Sequence, residues 1–576
     1  MSTIKTFLGN ENSPDTSHEF TKDVKTTIQD PESPIQPEDE YVGDFEEIST
    51  VRQGLHQRHI QMIALAGTIG TGLFLSSGRA ISRSGPLGAF LGYLVMGCVA
   101  GTVTLAIGEM GTLVPLTGGI VRYAEYFVDP ALAFANGYNV VYSYLVSIPA
   151  EIVAAAVLVQ FWSDLNSAIW ITIFGLLMVC TALLFVRVYG ELEFAFSMMK
   201  ILLIIGVNIM ALVITCGGGP DHKTIGFEYW RNPGPFVQYL GIGGALGRFL
   251  GVWTSLNNAL YAYSGIETIT VAAAETKSPR QAIPQAAKRI FIRILVFYGM
   301  LTLKENETPL FKSDLFLSVI SIFMVGLVVP SNEPRLSNSS GTASESPFVI
   351  AATLAGIKVV PSIINAVIIT SAWSSGNSNM LGGTRVLVGL AMNGQAPKFF
   401  TRLNRFSVPF IAISLYGLFM CLGYMSLSST ASTVFNWLQD LVSITTLTNW
   451  MTILITYLRF YYGCKKQGIS RKSLPWATPL QPYISWASLF MLTILLITGG
   501  YSTFIKGNWD DETFVSSYIN IPLFLIFYFG YKFIRKTKIV PLEDIPIQPF
   551  IDIANRNPEP VAKPKKGLRR LNVLWN

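Results

Sequence analysis

Charged residues are scarce in this chain. Of its 576 residues, 14% are Asp, Glu, Lys or Arg, whereas soluble proteins carry about 25%. Half of the residues are hydrophobic, and apolar runs of about 20 residues, the length that spans a bilayer, recur with only short polar breaks. The composition excludes a string of soluble domains and indicates a single all-α, polytopic protein whose main partner is the lipid bilayer.

Histidine and cysteine are scarce as well. The chain has four histidines and five cysteines, and no two cysteines have CxxC spacing, which excludes a zinc or haem site and a disulfide framework. No nucleophile, base and orienting partner converge, and no phosphate-binding loop is present. We therefore expect no metal, no cofactor and no enzymatic activity. A channel is disfavoured because the sequence has no repeated pore loop or ring of like charges.

The formal net charge of +6 conceals an asymmetry. Residues 1–50 contain twelve acidic residues and only three basic ones, Lys5, Lys22 and Lys25, and this polar segment lacks the apolar core of a signal peptide. We expect a disordered, acidic cytoplasmic tail, whose lysines are either acceptors for a ubiquitin ligase or simply solvated side chains. The remaining Lys and Arg lie in loops between apolar spans, which excludes a nucleic-acid partner.

The sequence predicts twelve transmembrane spans. Loops rich in Lys and Arg follow spans six, eight, ten and twelve, which places these loops and both termini in the cytoplasm. The expected domains are the tail at 1–50, a twelve-helix body at 51–540 and a cytoplasmic C-terminal tail at 541–576. The predicted spans are 58–81, 87–110, 135–160, 167–187, 196–216, 249–273, an interrupted seventh, 348–374, 408–427, 433–458, 483–503 and 515–534.

The seventh span is interrupted by polar sequence. Residues 299–319 place five charged side chains inside an apolar run, and each would cost roughly 2.5–3.5 kcal/mol at the bilayer centre. Either the helix begins near Leu315 and ends near Pro330, or residues 299–319 are an anomalous insert in this helix and Tyr298 should join Ile320 directly. We favour the insert and hypothesise that it is translated from a retained intron.

Spans one and six carry unusual residues within apolar sequence. Span one contains Gly67, Gly70 and Gly72, and since each glycine weakens a helix by about 1 kcal/mol, the helix is expected to break there; close helix packing through small residues is the alternative. Span six contains Tyr261 and Glu267, the latter an intramembrane carboxylate that either serves function or pairs with a neighbouring helix. Interrupted helices in matching positions of two halves indicate a transporter site at the bilayer midplane.

Six motifs closely resemble the fungal amino-acid permeases, the yeast amino acid transporter branch of the amino acid–polyamine–organocation superfamily. They occur in the family's order, and the resemblance extends over about residues 50–540. The sequences IPAE and YGELEF most resemble those of the fungal branch that includes the dicarboxylic amino-acid permeases. The motifs are GTIGTGLFLSSG in span one, GEMGTLVP at 108–115, IPAE at 148–151, YGELEF at 189–194, YSGIE in span six and AAETKSPRQAIPQA at 273–286.

The resemblance implies both a fold and an activity. The fold would be a leucine-transporter-like inverted five-plus-five repeat of twelve helices with helices one and six broken. The activity would be proton-coupled uptake of L-amino acids across the plasma membrane by alternating access. The resemblance assigns the substrate carboxylate to Gly70, Thr71 and Gly72. It assigns the substrate amine to Ala66, Tyr261 and Ser264.

Three further residues are implied in gating or proton coupling. The resemblance implies that Lys200 contacts the broken first helix at the place where sodium-coupled relatives hold a cation; the alternative is that its long stem snorkels to the cytoplasmic face. Glu151 and Glu267 are the carboxylates expected to join the proton path or to shape the pocket.

Five other polar positions receive plainer interpretations. For Glu191 and Glu193 we favour ordinary capping near the cytoplasmic start of span five. For Asp440 in span ten we favour pairing with a polar neighbour. Asn377 and Asn379 are interpreted as helix-end residues after span eight.

The sequence does not decide which amino acids are bound, or whether the protein transports them or only senses them. The resemblance favours a broad specificity for neutral or acidic amino acids. The alternative to a transporter is an amino-acid sensor on the same scaffold that transports little, although such a sensor would be expected to carry a longer cytoplasmic extension than residues 1–50.

The retained-intron hypothesis predicts a shorter transcript. Sequencing the cDNA should reveal mature messages that lack the codons for residues 299–319, because their removal restores an uninterrupted spanning helix. A transcript that keeps these codons under all conditions, from a gene whose product is active, would contradict the hypothesis.

Overall fold

A computed structural model describes residues 70–113, 120–163, 165–183, 186–267, 314–337, 346–404 and 408–556. Within these ranges the secondary structure is helical, without strands. Six of the described helical stretches are long and apolar enough to cross a membrane, and Ser167–Ala182, Val319–Val328 and Tyr483–Thr498 are shorter apolar helices. The expected all-α membrane body is therefore present, while the count of twelve spans stays a prediction.

Fifteen labelled helices build the described part of the chain, joined by short helical turns. They are α1 (Ser77–Leu113), α2 (Ile120–Phe127), α3 (Pro130–Val159), α4 (Ser167–Ala182), α5 (Val186–Thr215), α6 (Gly244–Ala262), α7 (Asp314–Val328), α8 (Pro347–Leu354), α9 (Val360–Met392), α10 (Phe410–Phe419), α11 (Ala431–Lys466), α12 (Tyr483–Thr498), α13 (Asp511–Tyr518), α14 (Asn520–Arg535) and α15 (Ile547–Arg556). The joining turns include a π-helical turn at Gly72–Ser76, single turns at Glu228–Arg231 and Pro334–Ser337, and 3₁₀ turns at Tyr239–Gly241, Lys398–Thr401, Met420–Leu427, Arg471–Ser473 and Tyr501–Phe504.

The first two predicted spans form one helical stretch with a sharp bend. The bend is at Gly85, whose φ of 79° lies in the left-handed region that favours glycine. A side chain there would also meet the Pro235 carbonyl oxygen at 2.6 Å. Pro86 then restarts the helix, as proline does at a first turn. The bend separates a short first limb, 72–84, from a long second limb, 86–113.

Helix α6 ends well before the predicted end of span six at residue 273. Its last residue is Ala262, and Gly265 in the turn that follows has a φ of +90°. Residues 268–313 lie outside the described residues, as do residues 58–69 before the first limb, so the breaks expected in spans one and six stay predictions.

The prediction for span eight, 348–374, is wrong. The apolar sequence there forms two helices, α8 and α9, separated by a turn in which Gly356 has a φ of +71°. Helix α9 continues to Met392, so Asn377 and Asn379 lie within the helix rather than at its end. The turn is short and Lys358 is its only charged residue, so the apolar sequence around it keeps the hydropathy high and merges the two helices in the prediction.

Helix α7 begins inside the suspected insert. It runs from Asp314 to Val328, close to the bounds of the less favoured interpretation, in which the span starts near Leu315. Residues 299–313 lie outside the described residues. The origin of the insert therefore stays a hypothesis.

Helix α3 lies at the centre of the bundle. It packs against α9 and α11, and it is buried along most of its length. Helix α1, which contains the second limb and most of the first, packs against α6 and α7. Helices at the periphery expose large apolar side chains, which indicates contact with lipid. Examples on α4, α5 and α14 are Leu176, Leu202, Ile526 and Phe533.

A buried carboxylate in the GEMG motif joins three segments. Glu109 of α1 accepts hydrogen bonds from Arg471 (2.7 Å), the Tyr457 hydroxyl (2.9 Å) and the Thr478 backbone N–H (2.9 Å). These contacts connect α1 to α11 and to the loop before α12. Because a buried carboxylate with this many donors is fully compensated, its role is structural.

The C-terminal helix docks onto the bundle. Ile547 and Phe550 of α15 are fully buried, and the Phe550 ring meets the Phe127 ring edge-on at 5.9 Å. The Gln467 side-chain amide donates to the carbonyls of Leu542 and Ile545. The segment that precedes α15 is therefore held against the end of α11.

Candidate functional site

A polar cavity lies at the meeting point of the first limb, α3, α6, α9 and α11. It comprises about 600 Å³ of space outside the protein atoms. This volume includes the open solvent at its mouth. Its lining combines most of the predicted site residues with further hydroxyl and amide side chains. The predicted residues among them are Gly70, Gly72, Glu151, Tyr261, Ser264 and Glu267, and the new ones include Ser143, Ser375, Asn379, Thr445 and Asn449.

Gly72 and Ala262 are in close backbone contact in this cavity. A Cβ atom placed on Gly72 would lie 2.7 Å from the Ala262 Cα and 3.1 Å from the Tyr261 ring. The obstructing atom is backbone, which cannot swing aside, so only glycine fits here. The start of the first limb and the end of α6 are thereby held in direct contact.

The two helix ends that meet here have opposite polarity. The first limb begins after Thr71, and α6 ends at Ala262, where carbonyls of its last turn accept from the Tyr263 N–H and the Ser264 hydroxyl. The helix dipoles add partial positive charge at the first end and partial negative charge at the second. The dipoles therefore favour an anion at the first end and a cation at the second.

Side chains reinforce the junction. The buried Thr71 hydroxyl lies 3.3 Å from the Tyr261 hydroxyl. Ser264, just past the end of α6, donates from its Oγ to the Tyr261 carbonyl at 2.7 Å. The Tyr261 ring packs edge-on against Phe435 of α11. Ala66 lies outside the described residues, so its expected role is not located.

Glu151 on α3 reaches the start of the first limb. Its Oε1 accepts from the Ser375 hydroxyl at 3.0 Å, and a Cβ on Gly70 would lie only 2.6 Å from the same oxygen. The side chain is buried. A carboxylate is thus held in contact with the backbone segment to which the resemblance assigns the substrate carboxylate.

Lys200 is fully buried in α5, which overturns the snorkelling alternative. Its Nζ lies 3.9 Å from the Oε1 of Glu193, seven residues earlier on the same helical face. The other carboxylate oxygen of Glu193 accepts from the Ser374 hydroxyl at 2.8 Å. Ser374 and Ser375 are consecutive in α9, so the helix connects the Lys200 group to Glu151.

The capping interpretation of Glu193 is wrong. Helix α5 begins at Val186, earlier than predicted, and Glu193 is 1% exposed inside it. Nothing is described of the Glu191 side chain. The spacing of seven residues between Glu193 and Lys200, which is two helical turns, was the available signal.

Glu267 lines the opposite wall of the cavity and also contacts α11. Its oxygens accept from Asn449 Nδ2 at 3.3 Å and from Trp450 Nε1 at 3.4 Å. Asn449 in turn accepts from Asn136 of α3. The carboxylate therefore pairs with a neighbouring helix and also lines the cavity, while its functional role stays a prediction.

A second cavity lies next to the first along the same helices. It is lined by Arg79, Arg83, Asn258 and Asp440, among others, and encloses about 590 Å³ on the same measure. The predicted pairing of Asp440 is confirmed, since its two oxygens accept from Arg79 at 2.9 and 3.2 Å. The arginines were missed by sequence reasoning, although Arg79 is a charge within the predicted span 58–81, which is itself the signal.

Comparison with known proteins identifies the family. The family model described as amino acid permease matches residues 59–542. The chain belongs to the amino acid permease family. With its apolar helices, the permease is a multi-pass membrane protein.

Two fungal relatives cover most of the permease. The dicarboxylic amino acid permease of Saccharomyces cerevisiae is 34% identical over 521 residues, which are 89% of this chain and 82% of that protein. The proline-specific permease of the same yeast is 37% identical over 498 residues, 84% of this chain and 76% of that protein. Relatives of different specificity are thus about equally similar to the permease.

A bacterial structure shares the fold. A mutant form of the manganese transporter of Eremococcus coleocola superimposes with a TM-score of 0.55 over 86% of this chain and 94% of that protein, at 13% identity. Among the described residues of the permease, no group of three His, Cys, Asp or Glu side chains is arranged to hold a metal ion. The likeness therefore extends to the fold alone.

The close contact at Gly72 predicts that a single methyl group added at this position lowers both stability and substrate binding. Gly72→Ala should lower the thermal unfolding temperature of the purified permease, since overpacking against backbone costs ~1–3 kcal/mol. It should also abolish substrate binding by separating the two helix ends. Gly530→Ala is the matched control, because no atom lies within 4 Å of a Cβ at that position. Unchanged stability and binding in Gly72→Ala would contradict the contact.

Proposed function

We propose that the permease takes up L-amino acids together with protons across the plasma membrane, by alternating access in a leucine-transporter-like inverted five-plus-five repeat with both termini cytoplasmic. The observation that carries the proposal is the contact of two helix ends of opposite polarity at Gly72 and Ala262. An amino acid carries one carboxylate and one ammonium at neighbouring atoms, so the paired ends match its two charges.

The carboxylate would bind at Gly70, Thr71 and Gly72. The two glycines leave the backbone N–H groups accessible, and the adjoining helix start favours negative charge. Thr71 adds a buried hydroxyl. The ammonium would bind at the carbonyl end of α6, near Tyr261 and Ser264, with Ala66 as a further ligand from the residues before Gly70.

The proton would be held by the buried group of Glu193, Lys200 and Glu151. When all three are ionised, two carboxylates face one ammonium, which leaves one negative charge in excess in a medium of low dielectric constant. A single proton neutralises that excess, so its gain and loss are favoured as the cavity opens to either side. Glu151 connects this group to the substrate, because it contacts the position of Gly70.

Neutral amino acids fit the cavity better than acidic or basic ones. The only charged side chains among its described lining residues are Glu151 and Glu267, so a substrate carboxylate in the side chain would meet no cation. Glu267 is bonded by Asn449 and Trp450 and is therefore already compensated. The rest of the lining is hydroxyl, amide and apolar, which suits a small neutral side chain.

Uptake of radiolabelled amino acids into permease-deficient fungal cells tests the proposal. A competition panel of unlabelled amino acids should reveal a preference for neutral substrates, and a protonophore should lower accumulation by about tenfold, equivalent to ~1.4 kcal/mol of lost driving force. Accumulation that is unchanged when the gradient collapses would contradict proton coupling. Amino-acid signalling without accumulation would instead favour a sensor.

Replacing Glu193 tests the proton site. Glu193→Gln keeps an acceptor for Ser374 but removes the charge, so accumulation should fall toward the outside concentration while exchange of internal for external substrate continues. Glu228→Gln is the control, because Glu228 forms an exposed ion pair with Lys223 that contributes little. Concentrative uptake by Glu193→Gln that still collapses with the protonophore would remove Glu193 from the proton path.

A further inference from the structure

The second cavity carries more positive than negative charge, because Arg83 has no carboxylate of its own and shares Asp440 with Arg79. Arg83 lies one helical turn after Arg79 on the first limb and lines the cavity with it. Arg79 is paired with Asp440. Among the residues that the structure describes, the Arg83 guanidinium forms neither an ion pair nor a hydrogen bond. The charged side chains that line this cavity are therefore two arginines and one aspartate.

Other donors in the same place also lack acceptors. Asn258 is 2% exposed and lines the cavity, and its Nδ2 has no acceptor within the described part of the chain; the Nε of Arg79 is likewise buried and unpaired there. Unpaired buried donors are costly, and they are satisfied together by a ligand that brings acceptors. A guanidinium beside an amide fits a carboxylate.

The two cavities lie in series. Helix α6 contributes Asn258 to the second cavity and Tyr261 to the first, and α11 contributes Ser443 to the second and Val442 to the first. On the first limb, Gly72 belongs to the first cavity and Arg83, two residues before the Gly85 bend, to the second. The second cavity is therefore displaced from the first toward this bend.

We propose that Arg83 forms a carboxylate-binding subsite, which holds an amino acid by its carboxylate before that amino acid enters the central cavity. The subsite rests on the proposed function, because the proposed orientation makes the Gly85 bend extracellular and the amino acid the passing ligand. Its excess positive charge attracts the anionic end of a zwitterion. Asn258 supplies a second donor to the carboxylate.

Labelling of an engineered cysteine tests the subsite without transport. Ser502 lines the second cavity and is half-buried, so Ser502→Cys in the purified full-length permease reports its occupancy through the rate of modification by an anionic methanethiosulfonate. The protein without this cysteine supplies the background from the five native cysteines. Glutarate and L-glutamine are the probes, and uncharged glutaramide is the negative control.

Glutarate and L-glutamine should each slow the modification about tenfold when saturating, equivalent to ~1.4 kcal/mol, and glutaramide should not. The protection should vanish when Arg83→Gln is combined with Ser502→Cys, and it should persist with Arg248→Gln, which removes an exposed arginine at the start of α6. Arg83→Met, which keeps the aliphatic stem, replaces Arg83→Gln if that variant does not fold.

Equal protection with and without Arg83 would overturn the subsite. Protection by glutarate alone would overturn its assignment to a passing amino acid.

Uptake kinetics supply the second measurement. Arg83→Gln should raise the KM for the amino acid that the competition panel identifies by about tenfold, with the maximal rate per permease at the cell surface unchanged. Arg248→Gln should leave both constants unchanged. If the wild-type permease transports no amino acid, the proposed function fails while the labelling result still decides the subsite. If uptake is intact but Arg83→Gln changes neither KM nor labelling, only the subsite fails.

Discussion

The contact between Gly72 and Ala262 is the constraint on which the rest of the structure depends. The first limb begins and α6 ends inside the bundle, where a free backbone group must find a partner other than lipid. A Cβ atom on Gly72 would lie 2.7 Å from the Ala262 Cα, and the proposed function places a ligand with both charges beside this contact. The glycine is required by the neighbouring backbone, and the polarity follows from the helix geometry itself.

Charge is distributed around this contact in an ordered way. Most of the described buried charges have a partner on another helix, as in Arg79 with Asp440 and Arg471 with Glu109. The two cavities differ from this pattern. Beside the central cavity, two carboxylates accompany Lys200, so negative charge is in excess; in the second cavity, two arginines accompany Asp440, so positive charge is in excess. In the proposed function a single proton compensates the first excess, and in the proposed subsite a ligand carboxylate compensates the second.

Local sequence features predicted much of the bundle and some of the site. Span ten was predicted at 433–458 and occurs as α11, Ala431–Lys466, because a long apolar helix leaves a strong hydropathy signal. Gly70 and Gly72 of span one and Tyr261, Ser264 and Glu267 of span six line the central cavity, while their roles stay predictions. The merging of α8 with α9 has the opposite cause, since the short turn at Gly356, in which Lys358 is the only charged residue, leaves too small a break in hydropathy.

What depends on contacts between distant segments could not be predicted from one sequence. Glu193 resembles a capping residue until α5 is seen to start at Val186 and to place it beside Ser374. Arg83 is distinguished by lacking a carboxylate of its own, and the partners of a charge are set by three-dimensional packing. Asn377 and Asn379 became interior residues only because α9 extends to Met392.

The most direct measurement is an experimental structure of the permease with its preferred amino acid bound. The account predicts ligand density in the central cavity, with the carboxylate at hydrogen-bonding distance, about 2.7–3.2 Å, from backbone N–H groups at the start of the first limb, and the ammonium at the carbonyl end of α6. A ligand bound elsewhere, or helices that run unbroken through residues 66–72 and 262–268 with no space between them, would contradict it.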